Sequence, residues 1–151
     1  MNKTINSLEE LNVEAVNFLK KLSKKTKSDK ATVVCLSGDL GAGKTAFTKC
    51  IAKSLGIDDV VTSPTFILEK VYTLPRESIV GEHFKKLIHI DAYRLSSASE
   101  MRALDWEHLL SEEHNLIFIE WPEQVKGAIP DDAIKLSFEY VDEGVRSISG
   151  L

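Results

Sequence analysis

Eight consecutive residues carry the plainest chemistry in this chain: Gly38-Asp39-Leu40-Gly41-Ala42-Gly43-Lys44-Thr45. They satisfy G-x-x-x-x-G-K-[ST], a phosphate-binding P-loop. Glycines let the backbone bend round an anion without Cβ clashes. Successive N–H groups then cradle phosphate, aided by the positive end of the helix that follows. In this pattern Lys44 reaches the β- and γ-phosphate oxygens, and the Thr45 hydroxyl coordinates Mg²⁺. The expected nucleotide-binding stretch is therefore Asp39, Leu40, Gly41, Ala42, Gly43, Lys44, Thr45 and Ala46.

A P-loop nucleotide also needs a carboxylate for its metal or attacking water, and two acids compete for that place. Asn115-Leu116-Ile117-Phe118-Ile119-Glu120 is an apolar run ending in an acid, the Walker B form. Leu87-Ile88-His89-Ile90-Asp91 is a second such run. Ligands of open α/β sheets sit beyond the carboxyl ends of the strands, so both acids can face the phosphates. Glu120 follows the stronger apolar run and is favoured for the metal, with Asp91 orienting water or supporting it. The competing reading for each is a strand-end carboxylate capping the next turn. His89 points to the same strand face as Asp91, but one His and one Asp do not make a metal site, and a packed histidine is the better reading.

The elements that must position these groups are legible around them. Thr32 to Leu36 reads as a buried strand before the loop, and Thr45 to Leu55 as a helix stopped by Gly56. Ser7 to Glu10 is a capping box. Leu8, Leu11, Ala15, Val16, Leu19 and Leu22 then form one apolar stripe, giving a helix to about Ser23. The lysines near its end read as a solvated terminus rather than an RNA patch. Residues 3–6 are read as a short edge strand, and Ile67 to Leu74 as another strand. Residues 75–86 read as an exposed loop, and Ser97 to Leu110 as a helix in one or two pieces. Ala133 to Tyr140 and Val145 to Ser149 read as strands joined through Gly144 in a hairpin. The fold class is α/β: a P-loop NTPase three-layer fold with a mostly parallel central sheet and an antiparallel C-terminal hairpin.

Composition sets the bounds. The chain has 151 residues, 43% of them hydrophobic, which suits one domain with one sizeable core. A net charge of −4 argues against a large nucleic-acid surface acting alone, though not against RNA reached through a partner. Cys35 and Cys50 read as buried reduced thiols. No apolar run is long enough to span a membrane, and the expected location is cytoplasmic.

Four blocks occur in order: the P-loop, Ser63-Pro64-Thr65-Phe66, His89-Ile90-Asp91-Ala92-Tyr93-Arg94-Leu95 and Ile119-Glu120-Trp121-Pro122-Glu123. Together they resemble the bacterial TsaE (YjeE) family, the ATPase component of tRNA threonylcarbamoyladenosine biosynthesis, over nearly the whole chain. The resemblance implies ATP and Mg²⁺ as cofactors. It implies action on a TsaD-like and TsaB-like transferase pair that modifies adenosine 37 of tRNAs reading codons that begin with A, with tRNA met only through that complex. It further implies Thr65 in a loop that senses the γ-phosphate, Trp121 beside the nucleotide, and Arg94 as either a charge stabiliser or a salt-bridge partner. The polar segment 75–86 is longer than the pattern.

Three rivals remain in the sequence. A small-molecule kinase needs an Arg-rich lid, and Arg76, Arg94, Arg102 and Arg146 are well separated. A nucleotide-dependent binding switch would hydrolyse little alone. A permuted GTPase would read guanine with Thr26-Lys27-Ser28-Asp29, a loose match in a Lys-rich loop.

Overall fold

The computed structural model describes residues 2–25, 28–57 and 69–151. Its first helix shows why the stripe folds as it does. Ser7 Oγ accepts from the Glu10 N–H at 3.1 Å, satisfying one of the orphan donors of helix α1 (Leu8–Lys24). The reciprocal half of the box is shifted by one residue, because Glu10 accepts from the Asn6 N–H at 2.7 Å. Leu11, Ala15, Phe18, Leu19 and Leu22 face inward. Leu8 was expected in that stripe but is 66% exposed, since it opens the helix before its face reaches the sheet.

The strands are β1 (Asn2–Ile5), β2 (Thr32–Ser37), β3 (Glu69–Thr73), β4 (Lys86–Asp91), β5 (Asn115–Glu120), β6 (Ile134–Asp142) and β7 (Val145–Ser149). They form one sheet in the order β1-β7-β6-β2-β5-β4-β3. The central strands β6, β2, β5 and β4 run parallel. The outer pairs β1–β7, β6–β7 and β3–β4 are antiparallel. The expectation of a mostly parallel sheet thus holds for the middle alone. Both margins reverse: β3–β4 and β6–β7 join consecutive strands without a crossover helix, and the first strand, β1, pairs with the last, β7.

Alternation along the central strands sorts side chains into two cores. Val34, Leu36, Leu87, Leu116 and Phe118 pack with α1 and with α2 (Lys44–Ser54). Val33, Cys35, Ile88, Ile90, Ile117 and Ile119 pack on the other face, with α3 (Trp106–Ser111) and the 3-10 segments Ala98–Leu104 and Pro122–Ala128. Those layers explain the thiols. Cys35 and Cys50 are free and buried in cores on opposite faces, so the sheet lies between them. Burial pushes the Cys35 thiol up to about 11.

Phe47 ties α2 to its surroundings, meeting Phe18 and Phe138 edge-on at centroid distances of 6.0 and 5.5 Å. Aromatic pairs of this kind add about 0.5–1.5 kcal/mol beyond burial. They fix the helix whose first turn carries Lys44 and Thr45. The segment read as an exposed loop, 75–86, is irregular down to β4 but not simply exposed: Val80 and Phe84 are buried against the α1–α2 core. Its polar residues hide two apolar anchors spaced too far apart to show periodicity.

Candidate functional site

The carboxyl ends of β2, β4 and β5 open on one cleft of about 410 Å³. Side-chain parity puts the acids there. Asp91 and Glu120 are register partners on neighbouring parallel strands. Both continue the rows of Leu87 and Phe118, the rows that face α2. The cleft is lined by Leu40, Gly41, Gly43, Lys44, Thr45 and Ala46 of the P-loop together with Asp91, Tyr93, Glu120, Trp121 and Arg146.

The P-loop's backbone is built as its glycines require. Gly38 has φ +148°, and a Cβ there would collide with the Phe138 carbonyl oxygen. Gly43 has φ +107° and stands at the N-cap of α2 with no side chain capping the helix. The first N–H groups of a helix lack intrahelical partners, so an uncapped end facing a cleft offers donors to an anion. Asp39 and Ala42 do not line the cleft. The Ala42 N–H is spent on the Asp39 carbonyl at 3.1 Å, and its methyl is buried in the core.

Lys44 is only 4% exposed. Its Nζ donates to the Gly38 carbonyl and reaches the Asp39 carbonyl at 3.4 Å. It also lies 3.8 Å from the centroid of the Trp121 ring. Burial pulls this ammonium below the usual lysine range, against the opposing pull of Glu120, Glu123, Asp91 and Asp39.

Glu120 is the hub of the polar groups. Its Oε1 accepts from the Thr45 hydroxyl at 3.0 Å, and its Oε2 meets His89 Nε2 at 2.5 Å. His89 is wholly buried, and its Nδ1 has no hydrogen-bond partner among the described residues. The histidine read as mere packing therefore touches the acid itself. Its place, diagonal to Glu120 across β4 and β5, needed the strand order to be seen. Asp91 Oδ1 accepts from the Tyr93 N–H at 3.0 Å, so this acid does cap the following turn while lining the cleft.

Trp121 adopts a left-handed backbone, φ 61° and ψ 49°, as the N-cap of the segment that Pro122 begins. That reversal breaks the strand's alternation and swings the indole over Lys44, against the Tyr93 ring at 4.9 Å. Trp106 is elsewhere, buried in the opposite core with its Nε1 donating to the Ala128 carbonyl at 2.9 Å. Arg94 is exposed and outside the cleft lining.

Arg146 was passed over in the sequence as one of four scattered arginines, yet it joins this cleft from β7. A G-x-R step in a C-terminal hairpin gives no signal until the hairpin is known to flank the P-loop strand. Thr65 and the Ser63-Pro64-Thr65-Phe66 block lie outside the described residues. So do Thr26 and Lys27 of the guanine-reading match. Ser28 and Asp29 of that match precede β2, a strand length of roughly 20 Å from the P-loop at its other end.

The donor set fits a magnesium nucleotide. Among the described residues no three His, Cys, Asp or Glu side chains gather as a cage. Mg²⁺ usually binds through one or two protein oxygens plus phosphates and water, which Thr45 and Glu120 can complete.

The family model "Threonylcarbamoyl adenosine biosynthesis protein TsaE" matches residues 9–148. The tRNA threonylcarbamoyladenosine biosynthesis protein TsaE of Rickettsia prowazekii is 35% identical over 137 residues, covering 90% of this chain and 87% of that one. Its namesake in Streptomyces coelicolor is 38% identical over 108 residues, covering 71% and 68%. The crystal structure of Bacillus subtilis YdiB shares the fold, with a TM-score of 0.71 over 98% of this chain and 82% of that one at 24% identity.

Proposed function

The chain belongs to the TsaE family of threonylcarbamoyl adenosine biosynthesis proteins, and on that premise we propose that it binds ATP with Mg²⁺ and hydrolyses it to ADP and phosphate. One observation carries the reading. The uncapped N-terminus of α2, the Lys44 ammonium and the Thr45–Glu120 pair converge on a single cleft.

In this reading the α2 N–H groups hold the β-phosphate, and Lys44 leaves Gly38 for the β- and γ-phosphate oxygens. Thr45 and Glu120 hold the metal, directly or through water. Mg²⁺, when bound, supplies charge neutralisation on the phosphate oxygens. Glu120 and Asp91 orient the attacking water, with His89 fixing the Glu120 carboxylate. Trp121 closes the side of the cleft above Lys44.

The work of that hydrolysis is to serve tRNA threonylcarbamoyladenosine formation by acting on a TsaD-like and TsaB-like transferase pair, with tRNA reached through that complex. The compartment is the cytoplasm. None of the described helices is long and apolar enough to cross a membrane. The test is phosphate release from Mg-ATP by the purified chain, alone and with the transferase pair. Stimulation by the pair is expected. Phosphate appearing on a metabolite instead would mean a kinase, and tight ATP binding without turnover in either condition would mean a switch.

Trp121 offers an optical check. A cation 3.8 Å from an indole perturbs its emission, and the phosphates should draw Lys44 away. Mg-ATP is therefore expected to change the intrinsic fluorescence, best seen in a slow Glu120→Gln background where ATP persists. Trp121→Phe should erase the change and Trp106→Phe should keep it. The opposite pattern would put the wrong tryptophan at the site.

A further inference from the structure

The order of the strands places the two ends of a bound nucleotide, and this inference rests on the nucleotide-binding reading above. Thr45, Glu120 and Asp91, which would hold the metal and terminal phosphate, lie where α2 meets the ends of β5 and β4. Strands β6 and β7 lie on the other flank of β2. With the terminal phosphate on the β5 flank and the middle phosphate on the α2 N-terminus, the nucleoside must extend towards the β6–β7 hairpin. Arg146 of β7 enters the cleft from that side.

Three features mark this arginine as more than a surface charge. Its side chain lies on the P-loop: a Cβ at Gly43 would come within 2.7 Å of its Cδ and 3.0 Å of its Nε. Its Nε is buried and has no hydrogen-bond partner among the described residues. Buried donors are normally paired, so an arginine that lines a cleft with this donor unpaired points to a side chain that turns to meet a ligand there. On the P-loop, Leu40 is 72% exposed while lining the same cleft, an apolar surface for a ligand to cover.

We propose that Arg146 recognises the nucleoside end of the nucleotide. Its planar guanidinium covers the face of the nucleobase, and its in-plane N–H groups are left to donate to acceptors beside the ring, on the sugar. A guanidinium suits this because it is flat, weakly hydrated and attracted to π faces, which a lysine ammonium matches only in charge. The phosphate end needs no cation from this flank, since Lys44 already stands there. The hairpin at the end of the chain is then part of the nucleotide site, and the P-loop glycine beside it is small because the arginine passes over it.

The test compares a ligand with a nucleoside and one without. Mg-ATP and Mg-tripolyphosphate are titrated calorimetrically into wild type, Arg146→Ala and Arg146→Lys. For Arg146→Ala, ATP affinity should fall roughly tenfold or more, in line with the loss of one base-stacking partner. Tripolyphosphate affinity should stay within about twofold, the two ligands differing only in the nucleoside. Arg146→Lys should recover little of the loss and serves as the folded variant if alanine proves unstable. Equal weakening for both ligands would make Arg146 a phosphate contact and overturn the proposal. So would unchanged ATP affinity, or full rescue by lysine, since charge alone would then suffice. A wild-type protein that binds neither ligand would instead sink the nucleotide reading itself, and the proposal with it.

Discussion

Lys44→Ala is expected to abolish ATP hydrolysis while leaving the chain folded. Lys44 is the P-loop's own cation in the cleft, and its ammonium already sits between the P-loop carbonyls and the Trp121 ring. Transition-state charge on the transferred phosphoryl group would lose its fixed counter-charge in a water-poor site, where such groups matter most. The fold should survive, because the ammonium is held against a burial cost. Its folded-state pKa is lowered from 10.5, so between that lowered value and 10.5 the folded chain binds fewer protons than the unfolded one. Stability therefore rises with pH through that window, and the cost of the charged form is fully present below it. Removing the group removes the cost along with its contacts. The informative measurement is melting with and without Mg-ATP. At ligand a hundredfold above Kd, wild type should gain about 2.7 kcal/mol, or roughly 5–10 °C in Tm for a chain of this size. Lys44→Ala should gain far less, with a ligand-free Tm within a few degrees of wild type. Hydrolysis at the wild-type rate by this variant would remove Lys44 from the chemistry.

Much of this site was readable in the chain because its signals are local. The P-loop needs glycine where φ is positive or the backbone must pass closely, and Gly38 and Gly43 meet both conditions. Glu120 was readable because a strand with six buried residues leaves a nearly unbroken apolar run before the acid. The turn of Trp121 was half readable: Pro122 announced the end of the pleat, but only the left-handed backbone shows which way the indole goes. What stayed hidden depends on strand order. His89 looks like a core residue until β4 is laid beside β5, and Arg146 looks like a hairpin surface charge until β7 is carried round to the P-loop. The β6–β7 hairpin was legible through Gly144, but the antiparallel pairing of β1 and of β3 was hidden for the same reason. Short strands such as Glu69–Thr73 and Asn2–Ile5 announce neither a pairing partner nor its direction. Buried Val80 and Phe84 in a polar segment lacked any period to reveal them.

Glu120→Gln is expected to lower kcat by about a hundredfold or more, roughly 2.7 kcal/mol in the barrier, with ATP affinity changed only a few-fold. The geometry supports that split. Glutamine keeps the shape and can still accept from the Thr45 hydroxyl through its amide oxygen, so the P-loop side of the site should hold. The charge is lost, and with it the alignment of metal and water, which counts only as the phosphoryl group departs. The amide must also face His89 Nε2, which now stands 2.5 Å from a carboxylate oxygen. A mispaired amide there would disturb the fold rather than the chemistry, so Tm and ATP affinity are read beside kcat. Asp91→Asn supplies the contrast. Asp91 Oδ1 is engaged with the Tyr93 N–H, a bond the asparagine oxygen can also accept, and its expected loss in kcat is smaller. The ranking follows from contact: Glu120 touches the Thr45 hydroxyl, whereas Asp91 is tied to the turn after its own strand. Normal hydrolysis by Glu120→Gln beside a dead Asp91→Asn would reverse the two roles. It would leave the Thr45–Glu120–His89 chain as a structural tie beneath the P-loop rather than the seat of the metal.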